Sequence, residues 1–180
     1  RADTGILMSS RTLILVLLML VSCAEPEERS VTRYMNIKGF FEAEVQRLTE
    51  NNKLVDKTVK RNEISETKTG ISVNWINELS LFIESDINKP AWRDSYKITE
   101  DSSEVIYMAL DSNLRTRSIH IKKDARDRIR NISIMNRTKN NLYQSSEQLN
   151  YVPDSIYKID KSQQVLLLGN NRYQIIGVFK

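Results

Sequence analysis

The second half of the chain consists of short strand-like segments separated by even shorter turns. Apolar and polar residues alternate along them, as at Ile119 and Ile121 with His120 between them, and this two-residue period predicts half-buried β-strands. Connections this short join antiparallel neighbours, because a parallel crossover needs about a dozen residues. The six predicted strands form an antiparallel meander: Ser103 to Leu110, Thr116 to Lys122, Arg128 to Asn136, Asn141 to Tyr151, Ser155 to Leu168 and Tyr173 to Phe179.

Two amphipathic helical patterns precede this meander. The first is a stripe of residues at spacings of three and four, apolar except for Asn52, and Ile37 and Phe40 widen it. The stripe consists of Phe41, Val45, Leu48, Asn52, Val55 and Val59. The second follows a candidate N-cap at Ser72 or Asn74 and is ended by Pro90. Its apolar face consists of Trp75, Ile76, Leu79, Phe82, Ile83 and Ile87. These helices must cover the apolar face of the sheet. The predicted fold class is α+β, with two N-terminal amphipathic helices packed on an antiparallel β-meander of about six strands.

The segment between the two helical patterns has two open interpretations. Helix is well supported only to about Asn52, and residues 55–69 are rich in β-branched and charged side chains. A polar hairpin that turns near Asn62-Glu63 fits these residues as well as an extension of the helix does. The hairpin is the favoured alternative.

The N-terminal segment has the pattern of a secretory signal peptide. Arg11 precedes an apolar run from Thr12 to Val21 that contains no charge, glycine or proline, and the run ends at Ser22-Cys23. A run of about ten apolar residues is too short to span a bilayer, which needs roughly 20. The predicted organisation is a signal peptide at 1–22 (with 1–7 an upstream extension before Met8), a lipidated cysteine and flexible tether at 23–35, and one α+β domain at 36–180.

Cys23, the single cysteine of the chain, is the only site residue predicted. The string Leu20-Val21-Ser22-Cys23 resembles the bacterial lipobox, whose cysteine is lipidated and becomes the mature N-terminus. That resemblance implies a lipid anchor in the membrane, with an envelope protein as a further candidate partner. The alternative is an ordinary buried cysteine, the usual state of a lone thiol.

Composition argues against several other functions. The 27 Lys and Arg residues exceed the 23 Asp and Glu residues, but they are interspersed and form no basic patch with aromatics, so no nucleic-acid partner is predicted. His120 is the only histidine and lies on the polar phase of its strand, so neither a catalytic triad nor a metal site is expected. The five glycines form no phosphate-binding loop, and no cofactor is predicted. Asp124 and Asp127 are interpreted as turn residues.

The whole pattern also resembles uncharacterised lipoproteins of Bacteroidota. The features that carry this resemblance are the lipobox, the paired helices, the string from Asp86 to Trp92 and a Lys/Asn-rich meander. It implies a lipid-anchored protein of the bacterial cell envelope, expected at the outer membrane. The acidic residues after the cysteine fit either a solvated tether or a surface-export signal: Glu25, Glu27 and Glu28. Both faces of the outer membrane therefore stay as alternatives for the position of the domain.

The function expected from these features is a non-enzymatic binding or assembly module of unknown specificity. The alternative is a periplasmic carrier that holds an apolar or lipidic ligand between sheet and helices. Trp75, Phe82 and Trp92 are the aromatic candidates for lining such a pocket. Aromatic residues at helical spacing are more often part of a filled core.

Overall fold

The computed structural model describes residues 33–166 and 169–180, and the predicted signal peptide, Cys23 and most of the tether lie outside these ranges. Residues Thr32–Lys180 form one compact unit. Its helices are α1 (Ile37–Glu50), the short α2 (Trp75–Glu78) and α3 (Ser80–Ile83), and a 3₁₀ turn (Pro90–Trp92). Its strands are β1 (Val55–Arg61), β2 (Ile64–Ile71), β3 (Tyr96–Glu100), β4 (Glu104–Ala109), β5 (Thr116–Lys123), β6 (Ile129–Lys139), β7 (Tyr143–Val152), β8 (Ile156–Val165) and β9 (Gly169–Phe179).

All nine strands form one antiparallel sheet in the order β2-β1-β9-β8-β7-β6-β5-β4-β3. The predicted α+β class and antiparallel meander are confirmed, but the count of six strands was wrong. The favoured hairpin at residues 55–69 is present as β1 and β2, which turn at Asn62-Glu63. This hairpin extends the meander because β1 pairs with the C-terminal strand, with Val55 opposite Phe179.

Strand β3 is the element that the alternation did not predict. It pairs only with β4, from Tyr96 opposite Ala109 to Glu100 opposite Val105. Tyr96 is its single buried residue, and the four that follow are exposed. Its apolar and polar residues alternate only over Tyr96, Lys97, Ile98 and Thr99, the shortest run that indicates a strand.

Helix α1 is shorter than its apolar stripe suggested. The Asn36 side chain caps its first turn by accepting a hydrogen bond from the Gly39 N–H at 2.8 Å. The helix ends at Glu50, and Asn52 takes a left-handed conformation with φ 47°, which asparagine tolerates better than most residues. Val59 therefore lies in β1, 39% exposed, and not on the helix.

The second predicted helix is two four-residue helices that meet at Leu79. Its N-cap is Asn74, which accepts a hydrogen bond from the Asn77 N–H at 3.2 Å. The predicted buried face is correct at Trp75, Leu79, Phe82 and Ile87, which are all buried, but wrong at Ile76, which is 48% exposed. The description of two N-terminal helices was nevertheless wrong, because the second segment is two short helices and its helical backbone stops at Ile83.

The helices pack on one face of the sheet through a cluster of aromatic side chains. Phe41 of α1 lies 4.8 Å from Phe82 of α3 and 5.2 Å from Tyr151 of β7, measured between ring centroids. Trp75 of α2 lies 5.4 Å from Phe179 and 6.2 Å from Tyr157. The buried apolar cluster of the described residues extends from Tyr34 to Phe179, so this unit has a hydrophobic core of its own.

Two sheet tyrosines also connect the layers by hydrogen bonds. The Tyr151 hydroxyl donates to Glu44 of α1, and the Tyr157 hydroxyl donates to Glu78 of α2 at 2.6 Å. Burial, together with the neighbouring carboxylate, raises the pKa of both hydroxyls, so both remain donors at neutral pH. Gly177 makes room for the Tyr157 ring, since a Cβ there would lie 2.0 Å from ring carbon Cε1.

Candidate functional site

The sheet face opposite the helices, termed the open face, carries a continuous row of mainly polar side chains. Cross-strand register places one residue from each strand in this row. From β2 to β3 the row reads Ser65, Lys60, Gln174, Asp160, Gln148, Met135, Ser118, Met108 and Lys97. The alternation that buries isoleucines on one face therefore assembles amides, hydroxyls and charges on the other.

Three adjoining depressions on this face form what we term the open-face groove. The largest, of about 590 Å³, is lined among others by Lys60, Asp160 and Arg172. A second, of about 400 Å³, shares Gln148 and Asp160 with it. A third, of about 290 Å³, shares Arg172 and two serines with the first. The first two together cross six neighbouring strands, about 24 Å at the usual strand spacing, so the groove is elongated.

Asp160 is at the centre of the groove. The Gln174 amide donates to its Oδ1 at 2.6 Å, and Lys158 Nζ lies 2.8 Å from its Oδ2. Partial burial raises the pKa of this carboxyl, but the bonds from Lys158 and Gln174 outweigh burial and hold the pKa below its ordinary value, with help from the charge of Arg172. Asp160 is therefore a carboxylate at neutral pH, held in a fixed orientation.

A second group of polar side chains on the open face is held by mutual hydrogen bonds. Asn150 Nδ2 donates to Ser133 Oγ at 2.9 Å, and Ser133 Oγ donates to Asn131 Oδ1 at 2.9 Å. Asn131 Nδ2 completes the ring by donating to Asn150 Oδ1 at 3.2 Å. Side chains fixed in this way present donors and acceptors without further loss of conformational entropy on binding.

The charge balance of the largest depression is positive. Lys60 and Arg172 face Asp160 and Glu63 along its lining, and Lys158 already neutralises Asp160. The cations Lys60 and Arg172 have three and five N–H donors, respectively. Such donors bind carboxylates, sulfates and phosphates. The groove therefore suits a polar, negatively charged and elongated molecule.

His120 lies on the open face, as its strand phase predicted. Its side chain is 38% exposed, and its Nδ1 lies 3.7 Å from Glu104 Oε1. It lines the second depression beside Ser133. The histidine thus contributes to a polar surface with a carboxylate as its nearest charged neighbour.

Two acidic loop residues accept hydrogen bonds from backbone N–H groups, and one of them, Asp124, is a predicted turn residue. Asp101 Oδ1 accepts from the N–H groups of Ser103 and Glu104 at 2.7 and 2.9 Å. Asp124 Oδ1 accepts from the N–H groups of Arg126 and Arg128 at 2.9 and 3.0 Å. Within residues 33–166 and 169–180, no three His, Asp or Glu side chains are grouped closely enough to hold a metal ion.

No groove residue was predicted from the sequence to bind a ligand, although the polar face of the sheet was predicted. The aromatic candidates are core instead, with Trp75 and Phe82 at 3% and 0% exposure and Trp92 partly buried. The available signal was the polar phase of β7, β8 and β9, which carries Gln148, Asp160 and Gln174 at the same level.

None of the helices in the described part of the chain has both the length and the apolar character needed to cross a bilayer. No protein-family model matches this chain, and no curated protein or solved structure is significantly similar to it.

Proposed function

We propose that this protein is a lipid-anchored module of the bacterial cell envelope that binds an acidic oligosaccharide in the open-face groove, without catalysing a reaction. The observation that carries the ligand class is the groove itself: it is elongated, lined by amide and hydroxyl groups, and cationic at Lys60 and Arg172. Hydroxyl-rich chains bind through dense arrays of such donors and acceptors, and their acidic groups pair with Lys and Arg.

The anchor rests on the N-terminal sequence. A basic residue, an uncharged apolar run and a small residue immediately before Cys23 are the features that a lipoprotein signal requires. Thioether and amide attachment of about three acyl chains would hold the domain far more firmly than a single chain can. The expected location is the outer membrane, with the domain on either its periplasmic or its external face.

The alternative function, a carrier of an apolar ligand, needs space between the sheet and the helices. In this structure Phe41, Phe82 and Tyr151 meet there at ring-centroid distances of 4.8 to 6.1 Å. All three side chains are fully buried. This packing supports the binding module over the carrier.

Replacing the lipidated thiol tests the anchor. We expect Cys23→Ser to abolish lipidation and to leave unprocessed precursor, because the serine hydroxyl cannot replace the thiol as the nucleophile that takes the diacylglycerol. Incorporation of labelled palmitate and fractionation of the envelope measure both effects, with Ser22→Ala as the control because alanine is also a small residue before the cysteine. Normal lipidation and processing of Cys23→Ser would overturn the proposed anchor.

Removing the groove cations tests the ligand class. We expect the Thr32–Lys180 domain to bind oligogalacturonate more tightly than neutral maltohexaose in titration calorimetry. Combined Lys60→Gln and Arg172→Gln should weaken binding of the acidic oligosaccharide at least about tenfold, because two charge-assisted hydrogen bonds are lost.

Lys97→Gln is the matched control for this measurement. Lys97 lies in the same cross-strand row as Lys60, at the far edge of the sheet on β3, and its substitution should leave the affinity unchanged. Equal affinity for the acidic and neutral oligosaccharides, or equal loss in Lys97→Gln and the double variant, contradicts the proposed ligand class.

A further inference from the structure

The four most exposed large apolar side chains of the described residues all lie at one end of the sheet. They are Ile64, Leu110, Leu142 and Leu166, which are 77, 67, 67 and 59% exposed. Each lies in or beside a hairpin turn, at the end where β1, β4, β6 and β8 finish. The turns at the opposite end carry polar and acidic residues instead: Asp101, Asp124, Asp127 and Asp154.

Two of these turns project beyond the others. Register places Lys161 of β8 level with Arg61, the last residue of β1, and Leu166 follows five residues later, about 16 Å along the strand. The Leu166 N–H donates to the Leu142 carbonyl oxygen at 2.9 Å, so these two residues lie side by side. We term Leu142 and Leu166 the apex, and Ile64 and Leu110 the shoulders.

The strands that lead to the apex carry positive charge. Arg137 and Lys139 on β6 and Arg172 on β9 are exposed, and none of them lies within 4 Å of a carboxylate among the described residues. Residues 137–146, 162–166 and 169–172 contain no Asp or Glu. Exposed aliphatic side chains beside unpaired cations are the combination that binds the surface of an anionic bilayer.

The chain also enters the domain at this end. Tyr34 packs against Tyr96, the first residue of β3, with ring centroids 5.6 Å apart, and the Tyr96 N–H donates to its hydroxyl. Arg33 is ten residues after Cys23, a separation that a fully extended chain spans with about 35 Å. That length exceeds the roughly 16 Å by which the apex projects.

We propose that the apex touches the surface of a bilayer that contains anionic phospholipid, so that the anchored domain stands on its β6–β7 turn and on the adjacent end of β8. This inference rests on the lipid anchor of the proposed function for its setting. The contact itself is made by Leu142 and Leu166 in the interfacial region, with Arg137 and Lys139 at the headgroups. An orientation of this kind directs the polar turns of the opposite end away from the membrane.

Vesicle binding by the Thr32–Lys180 domain, which lacks Cys23, tests the contact independently of lipidation. We expect co-sedimentation with vesicles of phosphatidylcholine and phosphatidylglycerol, and little with phosphatidylcholine alone. Leu142→Ser with Leu166→Ser should weaken partitioning at least about tenfold. Arg137→Gln with Lys139→Gln should weaken it by up to about thirtyfold at low salt.

The shoulders provide the matched control. Ile64→Ser with Leu110→Ser removes two aliphatic side chains from the same end that are at least as exposed as those of the apex. This double variant should leave vesicle binding unchanged. Because the domain contains no cysteine of its own, Leu142→Cys can carry a polarity-sensitive fluorophore. Its emission should shift to the blue with anionic vesicles, whereas the same label on Leu110→Cys should not shift.

Three results overturn the proposal. The first is absence of binding to anionic vesicles, and the second is equal loss of binding in the apex and shoulder variants. The third is concentration-dependent dimerisation in analytical ultracentrifugation that the apex variant abolishes, which would assign the apex to a second copy of the chain. None of these results bears on the lipidation of Cys23, which the palmitate experiment decides by itself.

Discussion

Replacing Phe82 by alanine is expected to lower the free energy of unfolding by about 3–5 kcal/mol. Phe82 is fully buried between Phe41 of α1 and Tyr151 of the sheet, at centroid distances of 4.8 and 6.1 Å. Its removal takes away aromatic contacts with both layers, and the surrounding structure relaxes only partly into the cavity. Urea unfolding of the Thr32–Lys180 domain, followed by circular dichroism, measures the loss.

Ile76→Ala is the control for this prediction. Ile76 lies in the adjacent short helix but is 48% exposed, so its truncation should change stability by no more than about 0.5 kcal/mol. A cost for Phe82→Ala as small as that for Ile76→Ala would mean that the short helices do not pack on the sheet as described.

Glu147→Gln is expected to cost about 3 kcal/mol at pH 7, the lower end of the range for breaking a buried ion pair. Glu147 is 6% exposed and lies between two cations, with Oε2 2.9 Å from Arg115 Nη2 and Oε1 3.0 Å from Lys161 Nζ. Asn136 Nδ2 also donates to Oε2, at 3.3 Å. Both cations reach solvent, with side-chain exposures of 31% and 27%, and this reduces the cost of leaving them unpaired.

The same substitution has a defined pH dependence. Burial raises the pKa of Glu147, but the hydrogen bond from Lys161 and the charges of Lys161 and Arg115 outweigh it and hold the pKa below its ordinary value of 4.5. A carboxyl whose pKa is lower in the folded state stabilises above the unfolded value, and that stabilisation is lost as the pH falls through the folded value. Glutamine resembles the protonated acid, so the stability difference between the two proteins should shrink below pH 4.5.

Urea unfolding between pH 7 and pH 3 measures this difference, with Glu66→Gln as the control. Glu66 pairs with Lys68 at 3.3 Å, but both side chains are about two-thirds exposed, so its substitution should change stability by about 0.5 kcal/mol or less at any pH. A stability difference for Glu147→Gln that stays constant below pH 4.5 would contradict the assigned role of the carboxylate.

Local pattern was enough to predict most of the sheet. Strands β4 to β8 begin and end within three residues of the predicted limits, because alternation and short turns are properties of neighbouring residues. The hairpin turn at Asn62-Glu63 has the same origin, and Asn62 takes a positive φ of 51°, a conformation that asparagine adopts readily. The buried face of the α2–α3 segment also followed from spacing, although spacing could not reveal the break at Leu79.

Contacts between distant parts of the chain decided the remainder. The pairing of β1 with β9 joins Val55 to Phe179, and nothing in either segment specifies its partner. That pairing brings Lys60 beside Gln174 and Arg172. It therefore creates a groove that no local sequence motif predicts. The same pairing brings the β1–β2 turn to the end of the sheet where β4, β6 and β8 finish.

The sequence by itself therefore determined the antiparallel class of the fold and which phase of each strand is polar, and it predicted an export signal with Cys23 as the candidate anchor. These properties depend on residues near one another in the chain, where period, charge and turn chemistry act directly. Tertiary structure alone decided strand order, the groove and the apex, because each depends on which distant segments share hydrogen bonds. A half-buried strand places its apolar residues on the core face beside any neighbour of matching register, so its alternation does not select the partner strand.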